Sequence, residues 1–389
     1  MNDFKCVVPK VLFGAGRRKE LGEEARRWGT RVFLALDPYL QRAGVGQEIE
    51  SLLAGASLTV VPFTDIEPDP SCFQADRAAA LAREERCDLV VAVGGGSALD
   101  FGKGVAVVAG NPGTAWQHTR RKDHTPLVPG PGTLPVIALP ATAGTGSEMT
   151  HYAVFSNPTL REKSTIVSER IIPKAALVDP ELTYSCPPQL TALTGVDVLA
   201  HSIEAFINVN STPFARLVSL EAIRLVGAWL PRAVAEGSDR EARQHMAWAS
   251  ALGGIAIAHA NPTLPHALGQ AAGGFVHAPH GASVAACLAE IMRISYEAAP
   301  RDFAAIASAL DPEGAAGLPL GQRAARAAEL VEELLKRIGV RVRFGELGLK
   351  AEDLERVTQI ALIGYFTGIS LHPKKVEQAD ILAIYRSCL

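Results

Sequence analysis

The chain has 389 residues, 48% of them hydrophobic and 20% charged, and a formal net charge of −3. That length suits two domains with filled cores, taking about 150 residues per domain as a prior. With no block of Lys or Arg at either end, the charge pattern argues against a nucleic-acid partner or an anionic membrane surface.

The first residues, "MNDFKCVVPKVLFGAG", carry no apolar core of signal-peptide length, and no run of about 18 apolar residues is free of charge. Neither a signal peptide nor a membrane span is expected. Six scattered cysteines (Cys6, Cys72, Cys87, Cys186, Cys287 and Cys388) form no CxxC pair. They read as reduced thiols of a cytoplasmic protein.

Four short β-branched runs follow in chain order: 31–36 (RVFLAL), 58–63 (LTVVPF), 87–93 (CDLVVAV) and 134–139 (LPVIAL). Charged, Ala-rich segments of helical period separate them, 71–86 being the clearest. Apolar strands alternating with helices predict a parallel sheet covered on both faces. Asp37 ends the first run. A carboxylate there accepts hydrogen bonds from a ribose diol and repels a 2′-phosphate, which favours NAD(H) over NADP(H); the same residue type also serves as an ordinary cap.

After the third run come Gly94, Gly95, Gly96 and Ser97, ahead of a helix. Glycines allow a tight turn and close approach of a ligand, and the following helix N-terminus offers N–H groups to a phosphate. The spacing is not GxGxxG, so a plain strand–helix turn is the competing reading. A second loop, 139–150 (LPATAGTGSEMT), places the hydroxyls of Thr142, Thr145 and Ser147 after the fourth run, with Glu148 in a capping-box position. Two such loops at neighbouring strand ends predict a nucleotide crevice.

Strand signals nearly vanish beyond "TYSCPPQLTALTGVD", where Ala/Leu-rich segments with Pro/Gly breaks take over. A boundary at about residue 185 is expected: an α/β nucleotide-binding domain over 1–185 and a helical domain over 186–389. The stretch 195–206 (GVDVLAHSIEAF) reads as the start of a helix. Asp197 and His201 lie on one face of it, one turn apart. Further on, 264–283 (LPHALGQAAGGFVHAPHGAS) supplies His266, His277 and His280, in a chain with ten histidines. One carboxylate and two to four imidazoles suit a borderline divalent ion, Fe²⁺ or Zn²⁺, at an open catalytic site. The segment 311–330 reads as a loop leading into an amphipathic helix. Two basic stretches, 116–126 (WQHTRRKDHTP) and 372–375 (HPKK), read as loops; bordering a substrate site, either would favour an aldehyde bearing a carboxylate, phosphonate or sulfonate.

Taken together, "GGGSALDFGK", "TAGTGSE", "GVDVLAHSIEAF" and "PHALGQAAGGFVHAPHG" resemble the iron-containing alcohol dehydrogenase family, in the family's order and over nearly the whole chain. The resemblance implies a Rossmann-like N-terminal domain for NAD(P), an all-α metal-binding C-terminal domain (the dehydroquinate synthase-like two-domain plan), and a cleft between them for substrate. It implies metal ligands Asp197, His201, His266 and His280. It implies cofactor contacts from Asp37, the Gly94–Ser97 loop, Thr142, Thr145 and Lys163, with Asp100 and Ser147 in the same set. A homodimer acting on a small alcohol or aldehyde is expected. The family's usual HxxxH is broken here by Gln270, which hydrogen-bonds but cannot shuttle a proton near neutral pH. The proton then leaves through cofactor ribose and water, or through a substitute such as His277; Gln270, His277 and Lys163 make up the expected catalytic set. Two rivals share the plan: a maleylacetate reductase-type enzyme lacking the metal, and a lyase resembling 3-dehydroquinate synthase. The first conflicts with the four ligands. The second needs Lys and Arg around the metal, where this sequence is Ala/Gly-rich.

Overall fold

A computed structural model describes residues 3–389. The chain forms two compact units, one of residues 7–142 and 146–184, the other of residues 3–6, 143–145 and 185–389.

The first unit is built on a six-stranded parallel sheet. Its strands are β1 (Lys10–Phe13), β2 (Arg31–Leu36), β3 (Thr59–Phe63), β4 (Leu89–Gly94), β5 (Val136–Pro140) and β8 (Ala175–Val178), in the order β1-β8-β5-β4-β2-β3. The four expected strands are all present. The strands at 10–13 and 175–178 were not expected: four residues each, they are too short to stand out as apolar runs. Also unexpected is the antiparallel hairpin β6 (Tyr152–Asn157) and β7 (Glu162–Val167), whose polar residues mask its period.

Side chains alternate across the sheet as a pleat requires. Val32, Leu34, Leu36, Val91, Val93, Ile137 and Leu139 fill one core. Phe33, Ala35, Val90, Ala92, Val136 and Ala138 fill the other, beneath the helices Cys72–Glu84 and Gly96–Gly110. The chain runs outward from β2 to β3, then returns to lay β4 on the other side of β2. The carboxyl ends of β2 and β4 therefore flank the switch point of the sheet, where doubly wound folds bind ligands.

The second unit is helical. Its helices include Pro188–Ile207, Pro213–Ala235, Arg240–Ala260, Leu264–Val276, His280–Ser295 and Leu320–Arg337. Several begin with proline in the first turn, where its fixed φ fits and its missing N–H costs nothing; Thr212 caps the helix Pro213–Ala235 and Asp239 the helix Arg240–Ala260, accepting from Ala215 and Ala242 N–H. The stretch 195–206 is the later part of a 20-residue helix rather than its start, since the Pro187–Pro188 pair sets the beginning earlier. That helix is long and apolar enough to cross a membrane by composition, but 83% of its most apolar window is buried inside the protein. It is the core of the helical unit.

Candidate active site

Asp197, His201 and Glu204 occupy positions i, i+4 and i+7 of the helix Pro188–Ile207, one stripe along its face. His266 comes from the first turn of the helix Leu264–Val276, and His280 opens the helix that runs to Ser295. The start of that last helix packs very closely on the first: a Cβ on Gly281 would sit 2.3 Å from the Leu193 carbonyl oxygen, so only glycine follows His280 without displacing backbone.

This packing brings the four side chains together, with one ligand atom of each within 4.8 Å of all the others. The Nε2 atoms of His266 and His280 lie 3.2 Å from Asp197 Oδ1, and that of His201 lies 3.7 Å away. Ligand atoms on a tetrahedral ion with bonds of about 2.0–2.1 Å sit about 3.3 Å apart, so this spacing fits a bound divalent metal. The rings of His201 and His266 stack at 4.4 Å between centroids.

The electrostatics agree. Asp197 and Glu204 are 2% and 0% exposed, and among the described residues their ion pairs are all with histidines. Two buried carboxylates without a Lys or Arg partner call for a compact positive charge at their centre. Burial pushes the Asp197 carboxyl up, but the imidazoles of His201, His280 and His266 outweigh it and hold it well below the carboxylate range. Burial lowers His201 to about 3, keeping it neutral, as a metal ligand must be. Burial also opposes charge on His266, yet Glu204 and Asp197 prevail and raise it to about 10.

Glu204 is the functional residue that the sequence reading missed. Its Oε1 accepts from His266 Nδ1–H at 2.5 Å, and its Oε2 accepts the backbone N–H of Thr263 (2.7 Å) and of His266 (3.2 Å). This fixes the ring so that Nε2 faces Asp197. The i+7 spacing from Asp197 was the available signal. Behind it, Thr263 Oγ1 meets His372 Nδ1 at 3.2 Å, and His372 Nε2 meets Ser295 Oγ at 2.8 Å. His372 lies in a loop, as expected, but is fully buried in this network.

The other basic stretch is also structural. Arg121 is buried, pairs with Glu162 at 2.5 Å and Asp123 at 2.7 Å, and packs on the Trp116 ring. Lys374 and Lys375 donate to the carbonyls of Ile294 and Ser370.

In the sheet unit, Asp37 follows β2 and the Gly94–Ser97 turn follows β4, at the switch point. Asp37 Oδ1 caps the short helix Pro38–Arg42 by accepting from Tyr39 N–H at 2.8 Å. Its Cβ would stand 2.7 Å from a Cβ on Gly94, whose φ of +149° also demands glycine. A Cβ on Gly95 would sit 3.4 Å from the Thr142 methyl carbon, so the two hydroxyl- and glycine-rich loops run side by side. Gly96 begins the next helix. Thr145 belongs, with residues 143 and 144, to the helical unit.

Asp100 and Ser147 are tied to each other. Ser147 Oγ donates to Asp100 Oδ1 at 2.6 Å, and Asp100 Oδ2 accepts from Val154 N–H at 2.9 Å. The fully buried Lys103 completes the cluster by donating to oxygens of Ser147, Thr150 and Tyr152. Glu148 does not form the expected capping box: it is buried, Oε1 has no partner, and burial raises its pKa to about 7, Lys103 opposing. Lys163, on β7, pairs with Asp69 at 2.8 Å. Gln270 lies one turn beyond His266 on the same helix face. His277 is exposed, in the left-handed residue that ends that helix.

Comparison with known proteins follows the same division. Residues 9–180 match the family model for iron-containing alcohol dehydrogenase, and residues 191–389 match that for the family's C-terminal part. The chain belongs to the iron-containing alcohol dehydrogenase family. It is 32% identical to the NAD-dependent methanol dehydrogenase of Bacillus methanolicus, over 98% of this chain and 99% of that one. The structure of an archaeal halo-thermophilic alcohol dehydrogenase from a Red Sea brine pool superimposes with a TM-score of 0.95, at 32% identity and full coverage of both chains. That of the sulfoacetaldehyde reductase from Bifidobacterium kashiwanohense, in complex with NAD⁺, superimposes with a TM-score of 0.85 at 31% identity, over 100% of this chain and 99% of that one. The chain is thus an oxidoreductase of CH–OH groups, of the metal-dependent alcohol dehydrogenase and aldehyde reductase kind.

Proposed function

We propose that this enzyme interconverts a small alcohol and its aldehyde with NAD(H), using one Fe²⁺ held by Asp197, His201, His266 and His280. The observation that carries the reading is the convergence of three Nε2 atoms on Asp197 Oδ1 in a chain of this family. When bound, the ion supplies Lewis-acid polarisation of the substrate oxygen and the nicotinamide supplies or takes the hydride. Three imidazoles with one carboxylate suit Fe²⁺ or Zn²⁺ alike; the family's iron tips the choice.

The protein's own residues do the positioning. The sheet unit, residues 7–142 and 146–184, takes the nucleotide, and the helical unit takes the metal. The Gly94–Ser97 turn and the helix N-terminus behind it receive the diphosphate. Thr142, Thr145 and Lys163 contact the cofactor. Asp37 accepts from the ribose and repels a 2′-phosphate, which supports NAD(H) over NADP(H). Asp100 and Ser147, tied to each other and through Ser147 to Lys103, belong to the same cofactor-binding set. With the cofactor bound, its ribose and water would supply the proton path, with Gln270 hydrogen-bonding near the substrate and His277 outside that path. Six free cysteines support a reducing, cytoplasmic setting, and a homodimer completes the reading.

A second reading, an aldehyde bearing a sulfonate or carboxylate, draws support from the sulfoacetaldehyde reductase relative. The engaged state of Arg121, Lys374 and Lys375 weakens it. Metal analysis, with NADH oxidation over neutral and anionic short aldehydes, decides between them. One ion per chain is expected, and its loss with activity in His280→Ala. Full turnover by metal-free His280→Ala overturns the assignment.

A further inference from the structure

The loop after β3 carries a carboxylate to the edge of the phosphate turn. Asp69 donates its backbone N–H to Ser97 Oγ at 3.1 Å, which fixes the loop against the Gly94–Ser97 turn. The β6–β7 hairpin docks on the same loop: Ser156 Oγ donates to the Asp69 carbonyl at 2.6 Å, and Ser156 N–H donates to the Pro70 carbonyl at 3.0 Å. Lys163 is the cross-strand partner of Ser156, and its ammonium reaches back to the Asp69 carboxylate at 2.8 Å. Asp69 holds a left-handed φ of +52°, which Asp tolerates better than most residues.

The pair is unequal. The Lys163 side chain is 5% exposed and that of Asp69 is 38% exposed. A nearly buried ammonium needs a counter-charge, and Asp69 supplies it. The loop that carries this carboxylate is fixed, through its own backbone, to a turn suited to phosphates. We propose that Asp69 is a stand-in anion: it neutralises and positions Lys163 before the cofactor binds, and the dinucleotide's diphosphate takes over Lys163 at the carboxylate's expense. This rests on the reading that Lys163 contacts the cofactor. Asp69 then weakens cofactor binding and speeds its release, a positioning residue that sets the exchange of NAD(H).

The test is NADH affinity by fluorescence titration of the full-length enzyme at low and high salt, for Asp69→Asn, Lys163→Met and the double variant. Asp69→Asn keeps the shape of the side chain and removes its charge. It should bind NADH about tenfold more tightly at low salt, with a smaller gain at high salt, the scale expected for one partly screened charge. Lys163→Met should weaken binding by about tenfold or more, and most of the Asp69→Asn gain should vanish in the double variant. Damage to the loop loosens binding, so a gain in affinity cannot be imitated by misfolding. Unchanged or weaker binding by Asp69→Asn, with Lys163→Met impaired, overturns the stand-in role and leaves the cofactor site intact. Unchanged binding by Lys163→Met overturns the contact itself, and the proposal with it.

Discussion

The carboxylate of Glu204, fully buried, lies 2.5 Å from the Nδ1 of His266 and holds that ring with Nε2 turned toward Asp197. A carboxylate behind a ligating histidine fixes its tautomer and raises its basicity, and removing it typically costs about 10–100-fold in metal affinity. Glu204→Gln still accepts the Thr263 N–H but loses its charge. We expect metal affinity to drop by about 10–100-fold while the helix content is kept, measured by chelator competition. Unaltered metal retention would mean that the pair serves packing alone.

Asp37 follows β2 and caps the helix Pro38–Arg42. Replacement must therefore separate two roles. Serine retains a capping oxygen, so Asp37→Ser tests the charge without unravelling the turn. The ratio of kcat/KM for NADPH over NADH should rise by about 10–100-fold, on the scale of about 1–3 kcal/mol for a hydrogen bond to a charged group. A wild type that already prefers NADPH would remove Asp37 from the ribose site.

What the sequence disclosed, and what it hid, follows from how each feature is encoded. The strands 31–36, 89–94 and 136–140 are buried on both faces and spell continuous apolar runs, so they were visible. The four-residue strands at 10–13 and 175–178 are short, and pairing with neighbours far away in the chain defines them. Asp197 and His201 announced themselves as polar residues on an apolar helix. Glu204 satisfies the same rule on the same helix, but its partners, Thr263 and His266, arrive from another helix. The stretches 116–126 and 372–375 read only as basic loops, and exposure is the usual fate of Lys and Arg. Tertiary contacts, invisible to a one-dimensional pattern, bury Arg121 and His372 instead.

His372 gives the enzyme a predicted weakness to acid. Burial, with Lys375 and Lys374 nearby, lowers its pKa from 6.5 to about 3, so the folded state prefers the neutral ring. Between those values the unfolded chain binds more protons than the native one. The contribution of His372 is therefore complete above pH 6.5 and is lost progressively as pH falls toward about 3, at up to about 1.4 kcal/mol per pH unit. His372→Gln keeps hydrogen-bonding capacity toward Ser295 or Thr263 without a titrating group. Its Tm should fall less steeply than that of the wild type between pH 6 and 4, whatever its stability at pH 7. Parallel Tm curves would assign the acid sensitivity elsewhere.

Gln270 and His277 divide the question of proton transfer. Gln270 stands one turn past His266 on the same helix face, where the family commonly has a second histidine. His277 ends that helix with φ +57° and ψ +39°, exposed to solvent. An exposed ring is held by little, and a proton relay needs a fixed path to the reacting oxygen. His277→Asn, which tolerates the left-handed backbone, should therefore keep kcat within about tenfold, below the 10²–10⁴-fold typical of general acid–base residues. Gln270→His introduces a titrating ring where glutamine offers only a donor and an acceptor. If that position merely orients substrate, kcat and the pH–rate profile stay unchanged. If the position lies on the proton path, a new ionisation appears near the ordinary histidine pKa of about 6.5. The exposed setting of His277 favours an enzyme whose proton moves through cofactor ribose and water, so the first outcome is expected. A loss of about a thousandfold in His277→Asn, with metal content intact, would make His277 the relay and reverse that assignment.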